Sequence, residues 1–348
     1  MSKQEKINST TSRTEPILEI QNLTVQFEMD RGTSRVIDDV HLDINRGEII
    51  GIVGESGSGK SMLASSLLDA VVTPGVTLGE IIYRSTDGKS VDVLDLGEEE
   101  LRKFRWEETS MVFQGALSSF NPTMKIREHF EETLEAHGYL VGEGMERAAN
   151  LLNDLYLDPN RVLDSYPHEL SGGMKQRTLI ALALVLEPDV LVMDEPTAAL
   201  DLLMQRSIVS LLAEIRDKYE LTMVFITHDL PLVTKLADRI GVLYAFELVE
   251  LADTEAILRE PTHPYTRALL NATPNLDAPL EEMRPIEGAA PDPVNVPAGC
   301  SYHDRCPLAT DECEHEQPSF EHVSETHDVA CHHWQDADEV PLTTEVEQ

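Results

Sequence analysis

Apolar and polar positions alternate in three different ways along this chain, and each points to a kind of element. Period-two alternation marks strand segments at Ile17-Leu18-Glu19-Ile20 and Leu23-Thr24-Val25-Gln26-Phe27. It returns over residues 36–44, with Val40, Leu42 and Ile44 on one face, after a polar loop expected over residues 28–34. Residues 77–94 read as further strands. Short unbroken apolar runs stand at Ile49-Ile50-Gly51-Ile52-Val53, Met111-Val112-Phe113, Val190-Leu191-Val192-Met193 and Met223-Val224-Phe225-Ile226. Runs of that length with polar borders predict strands buried on both faces. Helical spacing covers residues 62–68, a short charged stretch over 98–106, residues 126–155, and the strongly apolar 178–186.

The first buried run leads into Gly54-Glu55-Ser56-Gly57-Ser58-Gly59-Lys60-Ser61, which fits Gly-x-x-x-x-Gly-Lys-Ser. A loop that bends its N–H groups around a polyphosphate needs glycines, because a Cβ would block the dihedrals and the close approach. Lys60 is placed to reach the β- and γ-phosphates, and the Ser61 hydroxyl to ligate Mg²⁺. Strand, loop and helix in this order separate the motif from an accidental Gly/Ser turn.

The other apolar runs also end in chemistry. The 190–193 run delivers Asp194 and Glu195: the first suits Mg²⁺, held through water, and the second can polarise an attacking water. The 223–226 run ends at Thr227-His228, where a histidine could contact the γ-phosphate. Met111-Val112-Phe113 is expected to end at Gln114, which can touch a metal or a water but is weak evidence alone. Ser171 is a natural N-cap, and with Gly172-Gly173 and Gln176-Arg177 it forms a second anion site rather than a plain cap. Phe27 reads from spacing as a core residue, with adenine stacking as the alternative.

Charge and length narrow the setting. The 348 residues carry 27 basic against 63 acidic side chains, a net −36, which argues against nucleic acid as a partner. Acid spread over the whole length suits a protein working in concentrated salt; an ordinary acidic protein is the alternative. The longest apolar run has eight residues, far short of a membrane span, and Lys3-Gln4-Glu5-Lys6 lacks a signal-peptide core. A cytoplasmic location is expected. Residues 1–15 and 336–348 are polar or acidic and are expected to be disordered.

Taken in order, these motifs resemble the ATP-binding subunits of ABC transporters over about residues 17–260. The resemblance implies an α/β P-loop ATPase with a mixed β core, an antiparallel β subdomain and a helical subdomain. It makes Gly54–Ser61 the Walker A loop, Gln114 the Q-loop residue, Ser171-Gly172-Gly173 part of the signature loop, and Asp194 and Glu195 the Walker B pair. Ala199-Leu200-Asp201 is then the D-loop, His228 the switch histidine, and Phe27 the adenine-stacking aromatic. Two such subunits sandwich ATP, each offering its signature loop to the other's nucleotide. A homologous second ATPase, two membrane permeases and an extracellular substrate-binding protein are the implied partners, at the cytoplasmic face of the membrane.

Ser119-Phe120-Asn121-Pro122, His263-Pro264-Tyr265-Thr266 and the tail Gly299-Cys300…Arg305-Cys306-Pro307 resemble dipeptide/oligopeptide and nickel importers. Peptide import is the expected function; nickel or sugar import and a soluble non-transport ATPase are the alternatives. Gly115-Ala116 and Phe246 depart from the family pattern. The ATPase domain is expected over 16–262 and a small C-terminal domain over 263–335, after a proline-rich linker. Cys300, Cys306, Cys313 and Cys331 are the whole cysteine complement. In a cytoplasmic protein four thiols disfavour disulfides, and they suit a [4Fe–4S] cluster. Intervals of five, six and seventeen residues do not match the paired Cys-x-x-Cys of zinc ribbons, which leaves Zn²⁺ second among metals, with His303, His327, His332 and His333 available for a mixed site; four reduced thiols in a small packed domain are the other alternative.

Overall fold

The protein is described by a computed structural model covering residues 16–115, 119–198, 200–272 and 286–342. The expected tail over 1–15, most of the proline-rich linker, Ala116, Ala199 and the last six residues lie outside the described residues. The chain begins with β1 (Pro16–Met29), β2 (Gly32–Asn45), β3 (Ile49–Val53), α1 (Lys60–Ser66), β4 (Val76–Arg84) and β5 (Ser90–Asp92). There follow α2 (Glu98–Lys103), β6 (Thr109–Val112), α3 (Ile126–Ala136), α4 (Val141–Asp154), α5 (Pro159–Asp164), α6 (Gly172–Leu184), β7 (Val190–Asp194) and α7 (Leu202–Tyr219). The cassette closes with β8 (Thr222–Ile226), α8 (Leu230–Val233), β9 (Arg239–Tyr244), β10 (Glu247–Asp253), α9 (Thr254–Arg259) and α10 (Pro264–Ala272). The last part holds a 3₁₀ turn at His303–Arg305, α11 (Asp311–His315), β11 (Glu321–Ser324), β12 (His327–Val329) and a 3₁₀ turn at Trp334–Glu339.

Two sheets carry the architecture. An antiparallel sheet runs β2-β1-β4-β5, and an eight-stranded mixed sheet runs β11-β12-β10-β9-β3-β8-β7-β6. The central strands β3, β7 and β8 are buried along their whole length, as unbroken apolar runs require. Their side chains alternate between two cores. Ile50, Ile52, Val190, Val192, Val224 and Ile226 pack with the antiparallel sheet and α1. Ile49, Val53, Leu191, Met193, Met223 and Phe225 pack with the helices on the other side. Parallel pairing of β3 with β8 and β8 with β7 brings the ends of all three strands to one edge, the place where open α/β sheets bind ligands.

Several local expectations change. Residues 28–34 are not a loop: Met29 pairs with Gly32, so the hairpin closes through only two residues. β6 ends at Val112 and Phe113 is 52% exposed, because β6 is the edge strand and its pairing runs out where Val112 meets Met193. The helical stretch 126–155 is two helices, α3 and α4. The C-terminal part does not stand apart from the cassette: β12 pairs antiparallel with β10 and so extends the main sheet. The acidic tail starts later than residue 336. Arg267 of α10 donates to Val340 O at 2.6 Å and to Asp338 at 2.8 Å, which holds the Trp334–Glu339 turn in place.

Candidate active site

The Gly54–Ser61 loop leaves the buried end of β3. A Cβ on Gly54 would stand 2.1 Å from Leu243 O, and one on Gly59 2.5 Å from Val36 O, both backbone atoms that cannot move aside. Both glycines also hold positive φ, 153° and 104°. The loop is thus seated against β9 and β2 at a distance only glycine allows. Lys60 is 6% exposed and turns back over the loop, donating to Gly54 O at 2.9 Å and Glu55 O at 2.7 Å. Burial pulls its pKa below the ordinary lysine value, against the opposing pull of Glu195, Asp194 and Glu55. The Ser58 hydroxyl, 3.4 Å away, is its third partner; a buried ammonium held by neutral oxygens alone is ready to exchange them for an anionic phosphate.

Asp194 ends β7 beside this loop. Burial raises its pKa, while the Ser61 hydroxyl donates to it and Lys60 stabilises its charge. Its Oδ1 is buried with no hydrogen-bond partner among the described residues. An orphaned carboxylate oxygen next to a serine hydroxyl is a donor pair suited to a hard divalent cation such as Mg²⁺. Glu195 follows, with φ 47°, and its N–H is tied to Ile226 O at 2.9 Å. Two groups meet on its carboxylate: Gln114 Nε2 lies 3.3 Å from Oε2, and His228 Nδ1 lies 3.0 Å from Oε1. The residues expected from three separate strand ends therefore form one constellation.

Ser171 caps α6, its hydroxyl accepting from Met174 N–H at 3.3 Å. α6 packs on α4 and β6, whereas α1, which follows the Gly54–Ser61 loop, packs on β7, β8 and β2. Gln176 is buried and its Nε2 has no hydrogen-bond partner among the described residues. Asp201 caps α7 by accepting from Leu203 and Met204 N–H at 3.1 and 3.0 Å. Phe27 is half-buried in β1 and pairs with Ser34, two residues from the Val36 carbonyl that closes on Gly59.

Comparison with known proteins decides what this constellation belongs to. The ABC transporter family profile matches residues 37–198, and that of the oligopeptide/dipeptide transporter C-terminal region matches 249–313. The dipeptide transport ATP-binding protein DppD of Caldanaerobacter subterraneus subsp. tengcongensis is 42% identical over 319 residues, covering 91% of this chain and 96% of the relative. This chain belongs to the ATP-binding subunits of ABC transporters, in the oligopeptide/dipeptide branch. DppD of Escherichia coli is 37% identical over the same shares of the two chains. Among solved structures, the dimeric ABC transporter cassette MJ0796 matches with a TM-score of 0.59 at 29% identity, over 68% of this chain and 98% of that one. CbiO1 from Clostridium perfringens, part of the ABC transporter complex cbiONQ, matches with 0.60 at 26% identity, over 71% and 92%. The protein is an ABC ATPase with the cassette fold of that family.

In this ABC ATPase the four cysteines converge. All are free thiols lining one small cavity with His303, His332 and His333. Burial pushes Cys300 up to about 11 and Cys331 up to about 12, and neighbouring thiols add to both. Among the described residues, no group of three or more His, Cys, Asp or Glu stands close enough to hold a metal ion. The expected ligand set is gathered at one place but not drawn together on a common centre.

Two residues that contact the Walker A loop were not expected there. Tyr265 accepts from Glu55 N–H at 2.9 Å, and Arg305 makes a two-pronged bond to the Glu55 carboxylate at 2.7 and 3.1 Å. Glu55 is among the expected ATP-binding residues, and its carboxylate faces Arg305. The His263-Pro264-Tyr265-Thr266 and Arg305-Cys306-Pro307 patterns marked both residues as unusual. Nothing local could say that they reach a loop more than two hundred positions upstream.

Proposed function

We propose that this chain powers a peptide importer by hydrolysing ATP, with Glu195 orienting the attacking water. The observation that carries the proposal is the meeting of Gln114 and His228 on the Glu195 carboxylate, beside Ser61 and the unpartnered Oδ1 of Asp194. Lys60 and the loop N–H groups from Ser56 to Ser61 receive the phosphates, Ser61 and Asp194 hold Mg²⁺ with Gln114 near, and Phe27 stacks on adenine. When bound, Mg²⁺ neutralises charge developing on the phosphates. Glu195 accepts a hydrogen bond from the water, and His228 holds the carboxylate in orientation through Nδ1. Ser171-Gly172-Gly173 serves a second subunit's nucleotide, with Asp201 at the junction, while the expected contact from Gln176 would need its buried side chain to be uncovered. The packing of α6 and α1 on different elements supports that reading.

Peptides as cargo rest on the oligopeptide/dipeptide C-terminal match and on relatives that carry peptide transport in their names. A homologous second ATPase, two permeases and an extracellular binding protein complete the assembly, and the chain sits at the cytoplasmic face of the membrane. Among the described residues no helix is long and apolar enough to cross it. The 16–262 segment is the working ATPase domain and 263–335 its importer-specific extension. A net charge of −36 supports a salt-loving source.

For the cysteines we propose a [4Fe–4S] cluster with a structural role. Four free thiols around one cavity are the donor set such a cluster takes. Zinc is the alternative, because intervals of five, six and seventeen residues do not match the paired Cys-x-x-Cys of zinc ribbons. Anaerobically purified protein is expected to be brown with about four irons per chain. Colourless protein with stoichiometric zinc or no metal would rule this out.

Glu195→Gln tests the ATPase mechanism. It should keep ATP affinity, lose roughly 10²–10⁴-fold in turnover and trap a closed pair of subunits in the assembled transporter. Turnover at the parental rate would refute the role of Glu195.

A further inference from the structure

Every polar group of Glu55 is occupied. Its N–H donates to the Tyr265 hydroxyl at 2.9 Å, its C=O accepts from Lys60 Nζ at 2.7 Å, and its carboxylate receives both prongs of Arg305. The Gly-x-x-x-x-Gly-Lys-Ser pattern leaves residue 55 free to be anything, and a carboxylate next to a phosphate cradle is electrostatically unfavourable unless something neutralises it. Arg305 supplies that neutralisation in the geometry a guanidinium fork matches best.

Arg305 cannot swing away. Its side chain is 5% exposed, Nε donates to Glu287 O at 2.7 Å, and Nη1 also reaches the Tyr244 hydroxyl at 3.2 Å. Its guanidinium carbon lies 5.6 and 5.8 Å from the ring centroids of Tyr244 and Tyr302. Those rings pack on each other at 5.1 Å and on Tyr265 at 4.5 and 5.4 Å, so Arg305 and Tyr265 stand on one aromatic platform. The arginine belongs to the turn between Cys300 and Cys306. There Arg305 N–H donates to Tyr302 O, Cys306 N–H to His303 O and Cys300 N–H to Cys313 O, at 3.0, 3.1 and 2.8 Å. The backbone that places Arg305 is thus the same backbone that places three of the four cysteines.

We infer that Arg305 is a positioning residue: through Glu55 it holds the Walker A loop, and Lys60 with it, in the shape that accepts phosphates, and so ties nucleotide affinity to the cysteine-bearing segment. The chain of contact is short. Glu55 O and Gly54 O are the acceptors that park Lys60. A loop released at Glu55 lets that ammonium and the adjoining N–H groups drift, and part of the binding energy is then spent on reordering them. By linkage, bound nucleotide must in turn steady the cysteine turn. The inference rests on the reading of Gly54–Ser61 as the nucleotide cradle.

The test uses the full chain, a fluorescent ATP analogue with Mg²⁺ for affinity, and the assembled transporter for turnover. Arg305→Gln should weaken binding about tenfold, with KM rising more than kcat falls. Glu55→Gln should do the same, and Arg305→Gln/Glu55→Gln should be no worse than either alone. Arg305→Lys, which keeps charge without the fork, should recover part of the loss. Parental affinity in Arg305→Gln, or losses that add in the double variant, would overturn the inference. Should Arg305→Gln fail to fold, the same comparison is made with Arg305→Lys and Glu55→Gln, and parental affinity in both would count against it. Lys60→Ala is the control: parental affinity there would bring down the reading of the loop itself, whereas its loss beside a normal Arg305→Gln removes only the role of Arg305.

Discussion

Glu247 is the residue where burial and charge are most plainly at odds. It sits at the start of β10 on a cavity of about 380 Å³ also lined by Asp38, Asp39, His41 and His263. Burial pushes its pKa up to about 7; the Ser301 hydroxyl opposes this, and Asp38 and Asp39 add to it. A carboxyl whose pKa is raised in the folded state binds its proton more tightly there than when unfolded. Its stability contribution is therefore complete below about pH 4.5 and disappears as pH rises through about 7. Between pH 5 and 8 the melting temperature should fall, through a loss of up to ~3 kcal/mol. Glu247→Gln should flatten that dependence; an unchanged slope in the variant would place its cause elsewhere. The positions of Lys60, Asp194, Glu195 and His228 could be read from the sequence, because each ends or follows a buried strand. That Gln114 and His228 share one carboxylate could not, since the distances depend on how three strands align.

Between elements, the binding of β12 to β10 rests on a buried charge. Glu250 of β10 is fully buried and accepts from Thr262 N–H at 2.6 Å, Thr262 Oγ1 at 2.8 Å and His263 N–H at 3.2 Å. His327 of β12 lies 2.8 Å away through Nε2. Burial pushes the Glu250 carboxyl up, but the bonds from His327, Thr266 and Thr262 outweigh it and its pKa stays below the ordinary value. The knot joins the turn before α10, which carries Tyr265, to the strand that brings in the cysteine segment. Glu250→Gln leaves buried donors facing an amide and should cost about 3–5 kcal/mol, seen as a lower melting temperature and faster proteolysis of the C-terminal part. Unchanged melting would show that the knot does not hold β12. The alternation of residues 17–27 and 36–44 made the antiparallel hairpin legible, but β11 and β12 are too short to carry a period, and their pairing follows from the sheet edge that β10 offers.

At the scale of the molecule, a net charge of −36 sets up repulsion that local ion pairs do not cancel. Many of those pairs are exposed, such as Lys89–Asp87 and Arg259–Glu255, and pairs of this kind contribute little. Salt should do more. The Debye length falls from about 30 Å at 0.01 M to about 3 Å at 1 M, so repulsion that spans the whole surface in dilute buffer is confined to immediate neighbours in molar KCl. The melting temperature should rise steadily with KCl over that range. A value indifferent to salt would show that the acidic surface is neutral for stability.

What the sequence determined by itself is what neighbouring residues decide among themselves: the buried strands, the glycine loop, the Ser171 cap, and the carboxylate pair at the end of β7. Period and backbone chemistry act over a few positions, so those features can be read without a fold. Only the tertiary structure decided that Glu55 is gripped by Tyr265 and Arg305, that Glu250 faces His327, that four cysteines share one cavity, and that the C-terminal part extends the cassette's sheet. Each of these is a meeting of residues far apart along the chain. Periodicity says that a side chain faces inward but not what it meets there; the stacking of sheets and helices around two cores supplies the partner.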